Sequence, residues 1–394
     1  MKKVAILLVI SIITTAFLSC KNKNQQTEST TEPDSIATQN NDTIKDTLNQ
    51  ANKISENAWH PDAFNQGNPA GQQKKLTPLP TPNPIKPGEQ ELQTKVTTPT
   101  FKPLKGFGEK SRISNETKSA VQLAKSGKFN EAIAEFDKAV QNNPKETEAW
   151  FFRGRAKLEI KDLNGALNDF NEAVKLNPKN KLSFYFRGRT KAELKDFNGA
   201  LNDLNLAISY DSNYTVAYNY RGVVKSFLGK DADAINDYLI AEKQMPSFPE
   251  SYYNLGISYA NLGKFKEALA QFNKAVEMAP EKAEAINNRG NVKFMLKDYA
   301  GAEEDFTKVI SLNPRNASAY SNRAAVRTTI KNYKSAIDDC TQAITLNPKY
   351  ADAYFNRGLA KSEMGDKEDA CSDFKKAESL GSKSATQLIK TKCK

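Results

Sequence analysis

The chain has 394 residues, 39% of them hydrophobic and 26% charged, with a formal net charge of +11 and one histidine. That length admits several domains or one long repeat array. A lone histidine, His60, leaves no Ser-His-Asp or Cys-His nucleophile and no cluster of histidine metal ligands elsewhere in the chain.

Lys2 and Lys3 precede an apolar run from Val4 to Leu18, followed by Ser19-Cys20. The run is shorter than the ~20 residues a spanning helix needs, so residues 1–19 read as an export signal. Phe17-Leu18-Ser19-Cys20 resembles the lipobox of bacterial lipoproteins. The resemblance implies that Cys20 carries the lipid, palmitate included, although Phe17 and Leu18 are bulkier than that family's usual residues. A plain secretory signal containing a cysteine is the alternative.

Residues 20–112 are rich in Asn, Gln, Thr, Lys and Pro and poor in core-forming side chains, so burial cannot offset the entropy of ordering them. They are expected to form a disordered tether with an r.m.s. span of ~50 Å, stiffened where Pro78, Pro80, Pro82, Pro84 and Pro87 crowd together. Asp34-Ser35-Ile36, Asp42-Thr43-Ile44 and Asp46-Thr47-Leu48 resemble the acceptor triplet of a periplasmic O-glycosylation system, which makes Ser35, Thr43 and Thr47 candidate acceptors. Trp59, His60 and Phe64 form the one aromatic cluster of this stretch, read either as a docking motif or as a chance grouping.

From residue 113 the composition changes. Pro144, Pro178, Pro246, Pro280, Pro314 and Pro348 fall on a 34-residue grid, with Ser212 and Ser382 at the remaining points. Eight repeats then start at Ile113, Thr147, Lys181, Thr215, Pro249, Ala283, Ala317 and Ala351. Position 20 is always Ala, position 8 is Gly or Ala, and position 24 is large and apolar except at Cys340. Small residues on two helices allow close approach, large ones fill the space beside them, and proline ends the second helix. The grid therefore predicts a helix hairpin per repeat.

These positions resemble the tetratricopeptide repeat, with small residues at 8, 20 and 27, aromatics at 4 and 24 and proline at 32. The resemblance implies an all-α, right-handed superhelical solenoid of eight hairpins over 113–384. The first hairpin is the weakest match, because Glu116 stands at an aromatic position. Six repeats carry Arg at position 7, Lys or Arg at 11 and Asp at 23, beginning with Arg153, Lys157 and Asp169. The fifth repeat changes all three together, to Leu255, Tyr259 and Gln271. Concerted change inside one repeat predicts that Arg and Asp pair between the two helices of the same hairpin.

The C-terminal segment resembles the extra helix that caps many such arrays, expected over 385–394, with Ala385, Leu388 and Ile389 at helical spacing. If that helix runs antiparallel to its neighbour, its end meets the neighbour's start. Cys371 and Cys393 would then close a disulfide in an oxidising compartment.

No catalytic residue, cofactor or metal is expected. Gly222…Gly229-Lys230 and Gly256…Gly263-Lys264 have the wrong spacing for a phosphate loop and fall inside helix hairpins. Family likeness places a concave groove along first-helix positions 2, 5, 6, 9, 12 and 13. Candidate partner-binding residues there are Phe151, Phe152, Tyr185, Phe186, Tyr220 and Tyr253, with Asn254, Asn288, Asn322 and Asn356 as a ladder for an extended peptide backbone. The aromatics could equally fill gaps between repeats. The carboxylate clamp of chaperone-binding relatives is not reproduced, since Asn287 stands at its lysine position beside Asn291. The expected function is a non-catalytic protein-binding scaffold facing the periplasm from the outer membrane, with cell-surface display as a variant. The alternative is an accessory subunit that handles extended polypeptides or activates an envelope enzyme in secretion, assembly or motility machinery. Partners are other proteins or peptides and, through the lipid, a membrane. Nucleic acid and small-molecule substrates are not expected.

Overall fold

The computed structural model describes residues 113–393. The export signal, Cys20, the tether with Ser35, Thr43 and Thr47, and His60 lie outside the described residues. The described chain is helical throughout. Eight hairpins follow one another: α1 (Asn115–Lys125) with α2 (Phe129–Asn142), α3 (Thr147–Glu159) with α4 (Leu163–Leu176), α5 (Lys181–Glu193) with α6 (Phe197–Tyr210), and α7 (Thr215–Phe227) with α8 (Asp231–Gln244). They continue with α9 (Pro249–Asn261) and α10 (Phe265–Met278), α11 (Ala283–Met295) and α12 (Tyr299–Leu312), α13 (Ala317–Thr329) and α14 (Tyr333–Leu346), and α15 (Ala351–Met364) and α16 (Lys367–Ser379). A last helix, α17 (Lys383–Lys392), packs on α16 and starts two residues before the expected boundary.

Seven first helices begin on the repeat starts read from the grid, from Thr147 to Ala351. Capping explains much of this. Asn180 and Asn316 accept hydrogen bonds from the first backbone N–H groups of α5 and α13, and Asp162, Asp196 and Asp298 do the same for α4, α6 and α12. Each first helix stops where position 15 turns left-handed. Gly127, Gly229, Gly263 and Gly365 take φ of 78°, 72°, 72° and 96°, and Lys161, Lys195, Lys297 and Lys331 take 64–66°.

Inside each hairpin the small residue at position 8 faces the large one at 24. A Cβ added at Gly222 would stand 2.6 Å from the Tyr238 ring, so hydrogen is the only side chain that fits. The seventh repeat solves the same problem the other way round. Ala324 at position 8 is fully buried beside Cys340, the one small residue at position 24.

Successive first helices touch one another along the stack, while successive second helices are held apart by them. A stack whose one layer is closer-spaced than the other must curve toward the closer layer. The first helices therefore line the inner side.

Candidate functional site

The ion-pair ladder is built as the concerted change in the fifth repeat predicts. Arg153 donates from Nε to Asp169 Oδ2 at 3.0 Å and from Nη2 to Oδ1 at 2.7 Å. The same two-pronged contact joins Arg187 to Asp203, Arg221 to Asp237, Arg289 to Asp305, Arg323 to Asp339 and Arg357 to Asp373. The position 11 cation shares the same carboxylate, as with Lys157 at 2.9 Å and Lys293 at 3.0 Å. The carboxylates are buried, and five of the six arginines also lie over the position 4 ring, 4.6 Å from Trp150 in the case of Arg153; the sixth, Arg289, has Ile286 at that position. Burial opposes the charge of Arg153, yet its contacts with Asp169 and Asp137 hold its pKa above the usual arginine value.

A third contact was not anticipated. Nη1 of each arginine reaches back to position 25 of the preceding repeat: Asp137 at 2.7 Å from Arg153, Asn205 at 2.7 Å from Arg221 and Thr307 at 3.1 Å from Arg323. The signal lay in the sequence. Position 25 is a hydrogen-bond acceptor before every arginine, and it becomes Leu239 before Leu255. Leu255 is fully buried there in a cluster with Val223, Ile235, Tyr238 and Tyr259.

Nine of the ten candidate partner-binding residues are buried, and Tyr185 is half-buried. They do not form an open strip. Position 6 of one first helix meets position 5 of the helix before it, so these side chains make the joints between repeats. In the N-terminal half the joint is aromatic. Phe186 lies edge-on to Phe151 at 5.4 Å, and Tyr220 to Tyr185 at 6.0 Å. In the C-terminal half it is a hydrogen bond donated by a side-chain amide. Asn254 donates to Asn219 at 3.2 Å, Asn288 to the Tyr253 hydroxyl at 3.2 Å, Asn322 to Asn287 at 3.0 Å and Asn356 to Ser321 at 3.1 Å. The expected asparagine ladder is thus occupied in holding repeats together. Phe152 belongs to the same inner core, 5.3 Å from Phe151.

One part of the inner face keeps unused polar capacity. Asn287 Nδ2, Asn291 Oδ1 and Asn322 Oδ1 have no hydrogen-bond partner among the described residues, although all three side chains are buried. Asn287 and Asn291 are one turn apart on α11, and Asn322 donates a hydrogen bond to Asn287, so one donor and two acceptors belong to neighbouring side chains.

At the C-terminal end, Ala385, Leu388 and Ile389 of α17 cover Phe355, Phe374 and Ala377. Cys371 and Cys393 are joined by a disulfide with their Cα atoms 5.6 Å apart. Cys340 is a free, buried thiol whose pKa burial pushes well up, which keeps it neutral. Among the described residues, no group of three or more His, Cys, Asp or Glu is placed to hold a metal, and no helix is long and apolar enough to cross a membrane.

Comparison with known proteins agrees with this architecture. Models of the tetratricopeptide repeat match residues 118–181, 249–282, 283–316, 317–350 and 340–372. A tetratricopeptide repeat protein from Parabacteroides merdae superposes with a TM-score of 0.51 at 25% identity, over 63% of this chain and 99% of its own. The Cut9–Hcn1 hetero-tetramer of the APC/C gives a TM-score of 0.52 at 17% identity, over 71% of this chain and 55% of that one, a likeness of fold alone. A comparison with curated proteins finds no match.

Proposed function

Since the chain is a tetratricopeptide repeat protein, a family of protein-binding scaffolds, we propose that it is a lipid-anchored, non-catalytic scaffold of the cell envelope. It holds a partner protein, or an extended segment of one, along the inner face of its first helices. The observation that carries this reading is the amide group of Asn287, Asn291 and Asn322. A buried polar atom without a partner costs about 1–3 kcal/mol, so three in one place are expensive for a purely structural core. A peptide unit offers one N–H and one C=O, which complement the free acceptors and the free donor.

The envelope address rests on the lipobox-like Ser19-Cys20 after an export signal. It is supported by the disulfide, which persists in oxidising compartments. Two experiments test the proposal. A photo-crosslinking residue at exposed Thr329 is expected to trap a partner in intact cells, and Asn291→Ala is expected to abolish the adduct without lowering the melting temperature. An undiminished adduct, or a loss of stability in that variant, removes the amide group from the binding face. Cys20→Ser is expected to release the chain from the membrane fraction; a variant that stays there overturns the anchor.

A further inference from the structure

Positions 18, 22 and 26 of each repeat are spaced four apart on the second helix and so lie along one of its faces. In repeats five to eight two of the three are charged, and in repeats one and two a single charge remains, Lys138 or Glu172. Repeats three and four carry none. Their residues are Asn198, Asn202 and Leu206 on α6, and Ala232, Asn236 and Ile240 on α8, and all six are exposed. The loss of charge on α6 is complete. From Phe197 to Tyr210 its single charged residue is Asp203, which is buried against Arg187.

Apolar side chains stand where the charges are missing. Leu206, Tyr210, Leu239 and Ile240 are each 37–44% exposed, and they belong to two consecutive second helices. Position 26 also bridges such helices. In the fifth repeat Lys274 at that position reaches Glu242, at position 28 of the second helix before it, across 3.0 Å. The same register sets Ile240 beside Ile208 at the end of α6, next to Tyr210, whose ring stacks on Phe184 at 5.7 Å. The two helices thus share one uncharged, partly apolar outer surface.

We propose that a second copy of this chain docks here, related by a two-fold axis, with α6 and α8 of one copy against α6 and α8 of the other. In a two-fold contact a patch meets itself, so a charge near the axis meets its own like charge. A face without charges escapes that cost, whereas the net charge of +11 opposes the approach of two copies elsewhere. The exposed amides of Asn202 and Asn236 each hold donors and an acceptor, so they can pair with their own counterparts. The four apolar side chains cover on the order of 300 Å², short of the ~800 Å² per partner of a standard interface. The dimer is therefore reversible and not obligate. It leaves the inner face open, and it stands whether or not that face holds a partner.

The test uses the full chain in intact cells, expressed together in two differently tagged forms. A photo-crosslinking residue at Asn202 is expected to join the two tags, and one at Asp338, the same position in a charged repeat, is not. Leu206→Lys with Ile240→Lys in both forms is expected to lower the adduct at least about tenfold, as is Leu206→Glu with Ile240→Glu. Other repeats already hold lysine or glutamate at position 26, as Lys274, Lys308 and Glu172 show, so the fold accommodates either. Combining the lysine form with the glutamate form sets opposite charges across the axis and is expected to restore the adduct. Its return also shows that both forms are folded. No joined tags from Asn202, an equal yield from Asp338, an adduct that survives lysine in both forms, or no return in the mixed pair overturns the dimer. An Asn202 adduct of one tag with a different protein overturns the second copy as the occupant.

Discussion

Asn322 donates its side-chain amide to Asn287 across 3.0 Å, joining position 6 of one first helix to position 5 of the helix before it. Phe186 and Phe151 occupy the same two positions four repeats earlier, as rings 5.4 Å apart. One joint geometry is therefore filled by two chemistries, apolar at the N-terminal end and hydrogen-bonded at the C-terminal end. Truncation of Asn322 to Ala removes a buried bond and leaves Asn287 Oδ1 without its donor. The expected cost is about 1–3 kcal/mol, read from urea unfolding. A neutral result would mean that the joint does not depend on the amide.

The ladder gives a larger effect. Asp305 is buried and serves both Arg289 and Lys293, so Asp305→Gln strands two cations. The expected loss is about 3–5 kcal/mol, and a double-mutant cycle with Arg289 should show strong coupling. The fifth repeat shows how to recover it. Because Arg289 also donates to exposed Asn273 of the preceding repeat, transplanting Leu, Tyr and Gln to positions 289, 293 and 305 leaves a polar side chain beside the new leucine. Adding Asn273→Leu, after the exposed Leu239 that precedes Leu255 in the sequence, is expected to restore more stability than the three-residue swap. Equal stability of the two variants would remove position 25 from the network.

Position 8 and position 24 are expected to trade volume. Cys340→Phe, which installs the ring found in most other repeats, meets the Cβ of buried Ala324 and should cost about 1–3 kcal/mol. Ala324→Gly in the same chain is expected to return much of it, with the melting temperature as the readout.

Glu193 supplies a pH dependence whose sign can be worked out. Burial raises its folded pKa above the unfolded value, so the folded chain holds the proton more tightly. Its contribution is most favourable below the unfolded pKa and is lost as pH rises through the folded one. Glu193→Gln is therefore expected to be more stable than the parent at pH 7. The advantage should shrink as pH falls below the ordinary carboxylate range. Chemical unfolding at a series of pH values checks this, and an advantage constant with pH would contradict it.

The C-terminal disulfide closes a 22-residue separation. Cys393→Ser is expected to cost the docked cap up to about 3 kcal/mol. Hydrogen exchange should localise the change to Lys383–Lys392 and the face it covers; unchanged protection there would show that apolar packing alone holds the cap.

Much of the fold was legible because the grid repeats what every hairpin needs locally. The positions of Ala, Gly and Pro set the helix starts, and the joint change at Leu255, Tyr259 and Gln271 disclosed the pairing partner of each arginine. The inner face was less legible. Phe151 or Asn322 repeats every 34 residues whether it points at a ligand or at the next repeat, so periodicity cannot separate a groove from a joint. Only the spacing of the stacked helices does, and that depends on the whole interface. The contact from Arg153 back to Asp137 was less legible for a related reason: it spans two repeats, and its acceptor varies among Asp, Asn and Thr, as Asp137, Asn205 and Thr307 show.

The left-handed turns at Lys161, Lys195, Lys297 and Lys331 leave something in reserve. A side chain in that conformation costs roughly 1–2 kcal/mol relative to a relaxed backbone, and four sister turns in the same array do without one by using glycine. All four close the turn between the two helices of a hairpin, and Lys161 also bears on the charge of Glu193. Glycine at Lys195, Lys297 and Lys331 would give a sturdier version of the array with every rung of its ladder kept.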